Sequence, residues 1–546
     1  MGTYLNPGKN SFEEAVNSEI FVDKTEMISY LNSVLRTKQK YVSVSRPRRF
    51  GKTMAADMIC AYYDRTADSR ALFAGCKLGL ADEDGWDKYL CQFDVIRVVM
   101  TDFFKKGTAI DDALGRIQKL IVRDLSKVYP EVDFFDTDDI LQSLQDVYSE
   151  KKTQFVIVVD EWDAIFREYK EDKEGQKKYL DFLRDWLKDK EYIALAYMTG
   201  ILPIKKYGKH SALNMFDEYS MTQPMRLARY TGFTVEEVEE LCVDYEMDYG
   251  EISDWYDGYR VSDYIPVEKR KLYRQGAYEE HRIRIYSPLS VVNAMRSGEI
   301  ENYWNETENY EALRQYVDWN FDGLKEAVVI LMNGGSVRVD VTRYQNDMTS
   351  FSSKDDILTM FIHLGYLGYK RETKEVFIPN REVLDVFKSS TSGRNWSVTF
   401  NALQNSQKLL EATWKLDQET VARLLEAAHD KAENKTYHSD AGLSYAVQLA
   451  YYAAQDMYTI VPELDTGKGY ADLVFIPKNP DIPALLIELK YDESADSAIA
   501  QIHRQRYPDR LELYKGNLIL VGINYDRTAS NDDVAFKHHS CNIEKA

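Results

Sequence analysis

Short apolar runs alternate with longer stretches of helical spacing over about the first 230 residues. The runs are Tyr41-Val-Ser-Val-Ser45, Phe93 to Met100, Phe155-Val-Ile-Val-Val159 and Tyr192 to Met198. Between them the spacing predicts helices over Thr53–Tyr63, Ala109–Val128 and Lys177–Lys190. The third run is continuously apolar and largely β-branched, as in a strand buried on both faces. Such alternation predicts an α/β fold built on a parallel sheet. From Gly232 the pattern turns to helices with few strands, and Thr234-Val-Glu-Glu237 reads as a capping box. Residues 262–284 read as a basic loop that carries Lys269, Arg270, Lys271, Arg274, Arg282 and Arg284, either solvated or touching nucleic acid. Helices are predicted over Asp355–Tyr366, from Arg381, and through 400–457, including Tyr445–Met457. The pattern then returns to α/β, with strands at Asp472–Ile476, Ala484–Lys490 and Asn517–Gly522 and a helix over Ser494–Arg506.

A length of 546 residues exceeds what one core organises, so several domains are expected. Hydrophobic residues at 44% and charged residues at 29% exclude a mainly disordered chain. No apolar stretch approaches the ~18 residues of a membrane span, so no membrane partner is expected. The first residues lack the apolar core of a secretory signal, and Asn6 spoils a myristoylation motif at Gly2. Five scattered cysteines suggest no disulfide framework, which points to a reducing cytoplasm. The net charge of −20 argues against global coating of nucleic acid, but leaves room for a local basic groove or for metal ions that bridge carboxylates to phosphate.

Two segments carry nucleotide chemistry. Ser45-Arg-Pro-Arg-Arg-Phe-Gly-Lys-Thr53 follows a strand and opens a helix, so backbone N–H groups of Arg49, Phe50 and Gly51 and the helix start would face an anion. Lys52 would reach the β/γ-phosphates of ATP, and the Thr53 hydroxyl would ligate Mg²⁺. Arg46 stands where the usual first glycine of that loop belongs. Asp160, ending the third run, is expected to hold the same Mg²⁺, and Glu161 to polarise the attacking water. Thr199 would sense the γ-phosphate, and Arg226 and Arg229 are arginine-finger candidates by position alone.

A second cluster lies near the C-terminus. Asp472 sits on one predicted strand, and Glu488 and Lys490 end another, sharing a face because side chains alternate. A carboxylate and an ammonium on one side of a buried strand are costly unless paired or bound to metal. Two carboxylates from neighbouring strands suit Mg²⁺, and a structural Glu–Lys pair is the competing reading.

The motifs Phe21-Val-Asp-Lys-Thr25, Arg46-Pro-Arg-Arg-Phe-Gly-Lys-Thr53, Val159-Asp-Glu-Trp-Asp163, Thr199-Gly200, Gly232-Phe-Thr-Val-Glu-Glu237, Trp255-Tyr-Asp-Gly-Tyr259 and Tyr286-Ser-Pro288 together resemble the prokaryotic AAA-ATPase-like family. Its members commonly carry a C-terminal PD-(D/E)XK nuclease-like domain. The resemblance implies a P-loop NTPase parallel sheet over 1–230, a helical lid over 231–310, a mostly helical, winged-helix-like middle over 311–435, and a nuclease-like α/β domain over 436–546. It also implies ATP and Mg²⁺ as cofactors, nucleic acid (DNA first) as substrate, and leaves a homo-oligomer open. Asp472, Glu488 and Lys490 would be catalytic, with Glu463 as a further metal ligand and Gln501 and Tyr507 flanking the site; Arg504 and Arg506 are phosphate-contact or solvated positions. Gly442 and Gly469-Tyr470 depart from the family pattern at a helical Glu and a Gly-Arg pair. An ATP-dependent nuclease serving in defence against, or control of, mobile elements is therefore the leading expectation. A nucleotide-gated module that binds nucleic acid or protein through an inactive nuclease fold is the alternative.

Overall fold

The computed structural model describes residues 2–81, 85–204, 213–274, 282–304, 324–332, 334–345, 351–391, 405–429, 457–465, 470–479, 481–505, 516–526 and 538–546, with isolated positions between these ranges. Two compact units emerge, one of 1–327 with 336–387 and one of 328–335 with 388–546.

The first unit is built on five parallel strands: β1 (Tyr41–Ser45), β2 (Asp94–Val99), β3 (Phe155–Asp160), β4 (Ile193–Gly200) and β5 (Asp217–Tyr219). Their spatial order is β2-β3-β4-β1-β5. Every residue of β1, β3 and β4 is buried, which explains their continuous apolar sequences. Helix α1 (Lys52–Tyr63) leaves β1, and α2 (Ile110–Val128), α3 (Ala164–Glu168) and α4 (Lys173–Leu187) follow in the connections. Because β1 lies between β4 and β5, the chain leaves an interior strand and returns at the opposite edge of the sheet in β2. Such a reversal opens a crevice beyond the carboxyl ends of the strands.

Helix α5 (Val235–Asp244) follows the sheet, and its capping box forms as the sequence predicts. The Thr234 hydroxyl accepts from the Glu237 N–H at 3.4 Å, and the Glu237 carboxylate accepts from the Thr234 N–H at 2.8 Å. The expected loop over 262–284 is only partly a loop. Strands β6 (Phe233–Thr234), β7 (Tyr259–Ser262) and β8 (Arg282–Tyr286) form an antiparallel sheet with β8 in the middle. Arg-Ile-Arg-Ile-Tyr does alternate, but its polar positions are arginines, and it is short enough to pass for a basic loop. Helix α6 (Pro288–Ser297) starts with proline in its first turn. Further on, β9 (Val337–Arg338), α7 (Lys354–Leu364), β10 (Gly368–Lys370), β11 (Glu375–Phe377) and α8 (Arg381–Ser390) add a second small sheet, ordered β10-β11-β9. The Glu382 carboxylate fastens this part: buried, it accepts from the Tyr303 and Trp304 N–H groups and the Ser290 hydroxyl, each at 2.8 Å.

The second unit contains helix α9 (Gln418–His429) and a five-stranded mixed sheet. Its strands are β12 (Tyr458–Asp465), β13 (Tyr470–Pro477), β14 (Ala484–Tyr491), β15 (Leu518–Tyr525) and β16 (His539–Lys545), adjacent in chain order. Only β14 and β15 run parallel, with helix α10 (Ala495–Gln505) as their crossover. Leu473, Phe475, Leu485 and Ile487 pack with Leu424 and Leu425 of α9, whereas Val474 and Leu486 pack with Ile499 and Ile502 of α10. The edge strands β12 and β16 went unread in the sequence because Pro462 interrupts one and polar residues fill the other. The helix expected over Tyr445–Met457 lies mostly outside the described residues.

Candidate functional site

The loop from Ser45 to Lys52 opens onto the crevice. Arg46, in place of a glycine, is drawn under the sheet edge, where Nη1 donates to the Ser45 and Tyr219 carbonyls at 2.8 Å each. Burial pushes its pKa down to about 10. The side chain thus braces β1 against β5 rather than facing an anion. Arg49 and Gly51 both take left-handed backbone angles, φ 67° and 83°. Alternation of that kind aims successive N–H groups into one concavity, at the start of a helix whose dipole is positive there. Such a conformation costs a non-glycine residue about 1 kcal/mol or more and concentrates at functional sites.

Lys52 is buried, and its Nζ donates to the carbonyls of Arg46 (3.0 Å) and Pro47 (2.7 Å). Burial pushes its pKa down to about 8, against the pull of Asp163, Glu161 and Asp160. Beside it lies a cavity of about 820 Å³. The loop from Arg48 to Thr53 and Glu161 line it, as do the polar Glu19, Lys24 and Arg296, and Phe21, Val22, Met58, Phe233 and Leu289 are among its apolar walls. The volume and the mixed polar and apolar lining suit a nucleotide.

Asp160 and Glu161 diverge at the end of β3. Asp160 is buried; one oxygen accepts from the Thr199 hydroxyl and from the Glu161 N–H at 3.0 Å. The other has no hydrogen-bond partner among the described residues and lies 3.9 Å from Arg97 of β2. Arg97 also pairs with Asp57 of α1. Glu161 takes a left-handed φ of 53° and pairs with Arg167 of α3. Burial pushes its pKa up, but Arg167, with Lys52 and Arg48, outweighs this and holds it below the usual carboxylate range. Asp163 anchors the turn by accepting from the N–H groups of Ile201 (3.2 Å) and Leu202 (3.0 Å).

The lid grips this loop. Phe50 is fully buried, edge-on to Tyr259 at 5.4 Å, and its carbonyl accepts from the Gly232 N–H at 3.1 Å. Its ring is therefore packing, and its backbone is the part left for a ligand. A Cβ at Gly365 would stand 2.9 Å from Pro47, so that glycine permits the close approach. Lys24 joins the N-terminal segment to the lid through Glu237 (2.5 Å) and the Arg229 carbonyl (2.7 Å). Of the two arginine-finger candidates, Arg226 lies 3.7 Å over the Tyr264 ring, and Arg229 pairs with Asp263 at 2.6 Å.

The C-terminal cluster forms on the α10 side of its sheet. The last registered pair between β13 and β14 is Leu473 with Ile487, one step before Asp472 and Glu488. There the Asp472 carboxylate accepts from the Leu489 N–H at 2.7 Å. Glu488 is buried; one oxygen accepts from the Gln501 amide, and Oε2 has no hydrogen-bond partner among the described residues. Gln501 in turn accepts from the Lys490 ammonium at 2.7 Å. Burial, then the Asp472 charge, push the Glu488 pKa up to about 8 despite Lys490. Gly522 of β15 lies beside Glu488, where a Cβ would come within 2.5 Å of the Ala495 carbonyl, so glycine lets α10 close over the cluster.

Glu463 belongs to β12, between Pro462 and Leu464, which pair with Leu473 and Ala471 on either side of Asp472. Its side chain lies outside the described residues, as do Gly442, Gly469, Arg506 and Tyr507 and the side chain of Tyr470. Arg504 is exposed on α10. Among the described residues no group of three or more His, Cys, Asp or Glu is arranged to hold a metal. No described helix is long and apolar enough to cross a membrane. The partners Arg97, Arg167 and Lys24 escaped the sequence reading, since an arginine on a strand or short helix carries no spacing signal for a carboxylate distant in sequence.

Comparison with known proteins finds one family match within each unit. No curated protein matches the chain. Among solved structures, the ORC1 protein of Aeropyrum pernix in complex with DNA is 12% identical, covering 73% of this chain and all of its own at a TM-score of 0.25. The ORC2 protein of Aeropyrum pernix, as ADPNP–ADP complexes, is 12% identical, covering 68% and 96% at a TM-score of 0.28. At these scores neither likeness assigns a ligand. Residues 7–209 match the model of the Predicted AAA-ATPase family, and residues 444–532 match that of the PD-(D/E)XK nuclease superfamily. The chain thus joins an AAA-ATPase-like region to a C-terminal region of the PD-(D/E)XK nuclease superfamily.

Proposed function

We propose that the protein is an ATPase coupled to a Mg²⁺-dependent nuclease that cleaves DNA. The observation that carries the nuclease half is Glu488 Oε2, buried and without a hydrogen-bond partner among the described residues, beside Asp472. A buried carboxylate oxygen left so is costly, and a hard divalent cation would relieve it. Asp472 and Glu488 would hold Mg²⁺, with Glu463 as a third ligand. Bound there, the ion supplies positive charge at the scissile phosphate and acidifies a water. Lys490, held by Gln501, neutralises charge that develops on the phosphate. Gln501 orients both groups, since one amide spans Lys490 and Glu488.

In the nucleotide site, the loop N–H groups and Lys52 would bind the phosphates of ATP, and Thr53 and Asp160 would hold its Mg²⁺. The unpartnered Asp160 oxygen fits that role. Glu161 orients the attacking water once it leaves Arg167, and Thr199 fixes Asp160. An enzyme of this kind suits defence against invading or mobile DNA, by analogy of architecture alone.

The lack of a three-ligand cluster among the described residues favours a second reading, a nucleotide-gated binding module without cleavage. Phosphate release and plasmid cleavage, measured with ATP and Mg²⁺, separate the two. The enzyme reading requires loss of hydrolysis in Lys52→Ala and of cleavage in Asp472→Ala. Cleavage that survives Asp472→Ala overturns it.

A further inference from the structure

Strand β7 of the lid has two sides. Tyr259 and Val261 are buried, but Arg260 between them is exposed. Its neighbour β8 places Arg284 opposite Arg260 and Arg282 opposite Ser262. Like charges set directly across a strand pair repel. Asp257 relieves Arg284 at 2.6 Å, whereas Arg260 has no carboxylate partner among the described residues. Next to this sheet, the β10–β11 hairpin brings up Lys370 and Arg371, and Arg371 also lacks a carboxylate partner among the described residues. These strands and the residues after β5 enclose a groove of about 250 Å³. Among the described residues its charged lining is Arg260, Arg282, Lys370 and Arg371 against one carboxylate, Glu372, which pairs with Arg282 at 3.0 Å.

Four cations around one groove run against the net charge of −20. Held in place by two hairpins, they form a local field that attracts polyanions. Helix α7, just before the hairpin, is buried from Asp356 to His363 and offers no face to a partner, whereas residues 371–374 of the turn are exposed. The one ring in the described lining, Tyr369, is only half-exposed, so unpaired bases find no stacking platform.

We propose that this groove binds the phosphodiester backbone of double-stranded DNA, contacting phosphates rather than bases. This rests on the reading of DNA as the substrate. Binding there is independent of sequence and steeply salt-dependent, because each phosphate contact releases counterions.

The test is fluorescence anisotropy of a mixed-sequence labelled duplex with the full chain, in EDTA over graded salt, so that cleavage plays no part. Arg260→Glu/Arg371→Glu is expected to weaken binding tenfold or more. Arg260→Ala/Arg371→Ala is expected to lower the slope of log affinity against log salt by about 2. Arg371→Ala alone, on an exposed turn, guards against misfolding, as does the control Lys119→Glu at an exposed position of α2, which should bind as wild type. Equal binding by wild type and Arg260→Glu/Arg371→Glu, or tighter binding of a single strand than of the duplex, overturns the proposal. If duplex still binds or is cleaved in those cases, the DNA reading stands; if wild type neither binds nor cleaves DNA, both fall.

Discussion

The two acidic strand ends of this molecule use the same parts, two carboxylates and a lysine, yet hold them in opposite electrostatic states. At the end of β3, Arg97, Arg167 and Lys52 surround Asp160 and Glu161, and Glu161 is held ionised below its ordinary range. Where the pairing of β13 with β14 ends, Asp472 and Glu488 face each other with Lys490 as the nearby cation, and Glu488 is pushed up to about 8. Cations around acids make a place for an anionic ligand, which replaces one set of ion pairs by another. Acids that repel one another make a place for a cation. The residue types alone do not separate these cases; their neighbours do.

The largest expected effects are selective losses. Lys52→Ala should lower ATP hydrolysis by about 10² or more, while leaving divalent-ion binding at Glu488 intact. Asp472→Ala should lower DNA cleavage by a similar factor, while nucleotide binding persists. Cross-loss in both variants, with normal melting, would mean that the two sites are not separately built.

A smaller effect concerns a third acid, Glu382, which has no metal role. Burial pushes its pKa up to about 7, against hydrogen bonds from Ser290, Trp304 and Tyr303. The folded state therefore binds its proton more tightly than the unfolded state. Its contribution is fully present below about pH 4.5 and is lost as pH rises through about 7, a change on the order of 3 kcal/mol. Glu382→Gln keeps one oxygen to accept from both N–H groups and an amide to donate to the Ser290 hydroxyl, so thermal melting should lose part of its decline between pH 5 and 7. Glu382→Ala should cost about 1–3 kcal/mol, because buried donors lose their acceptor. An unchanged pH profile in Glu382→Gln would contradict the protonated state of that carboxyl. The smallest effect is Thr199→Val, which removes one hydrogen bond to Asp160 and should slow ATP hydrolysis about fivefold, read from initial rates.

Much of this was legible in the sequence because it depends on local order. Strand β1 matches its apolar run, and the loop before α1 declares itself by Gly51-Lys52-Thr53 after a strand. The parity of Glu488 and Lys490 alone places both on one face of β14. What escaped depends on distant pairing. Arg46 reads as a flaw in a glycine-rich motif until β5 supplies the carbonyl of Tyr219. Phe50 reads as a phosphate-loop residue, yet its ring belongs to the lid, where Tyr259 receives it. The arginines of β8 conceal a strand because their alternation faces solvent.

The opposite states of the two acids can be compared most directly by counting protons. Calorimetry of Mn²⁺ with the full chain at pH 7, run without nucleotide in buffers of different ionisation enthalpy, reads the protons released on binding. Release of about one proton, abolished by Glu488→Gln and unaffected by Glu161→Gln, is the predicted result. Metal uptake without proton release, or release that persists in Glu488→Gln, would contradict it.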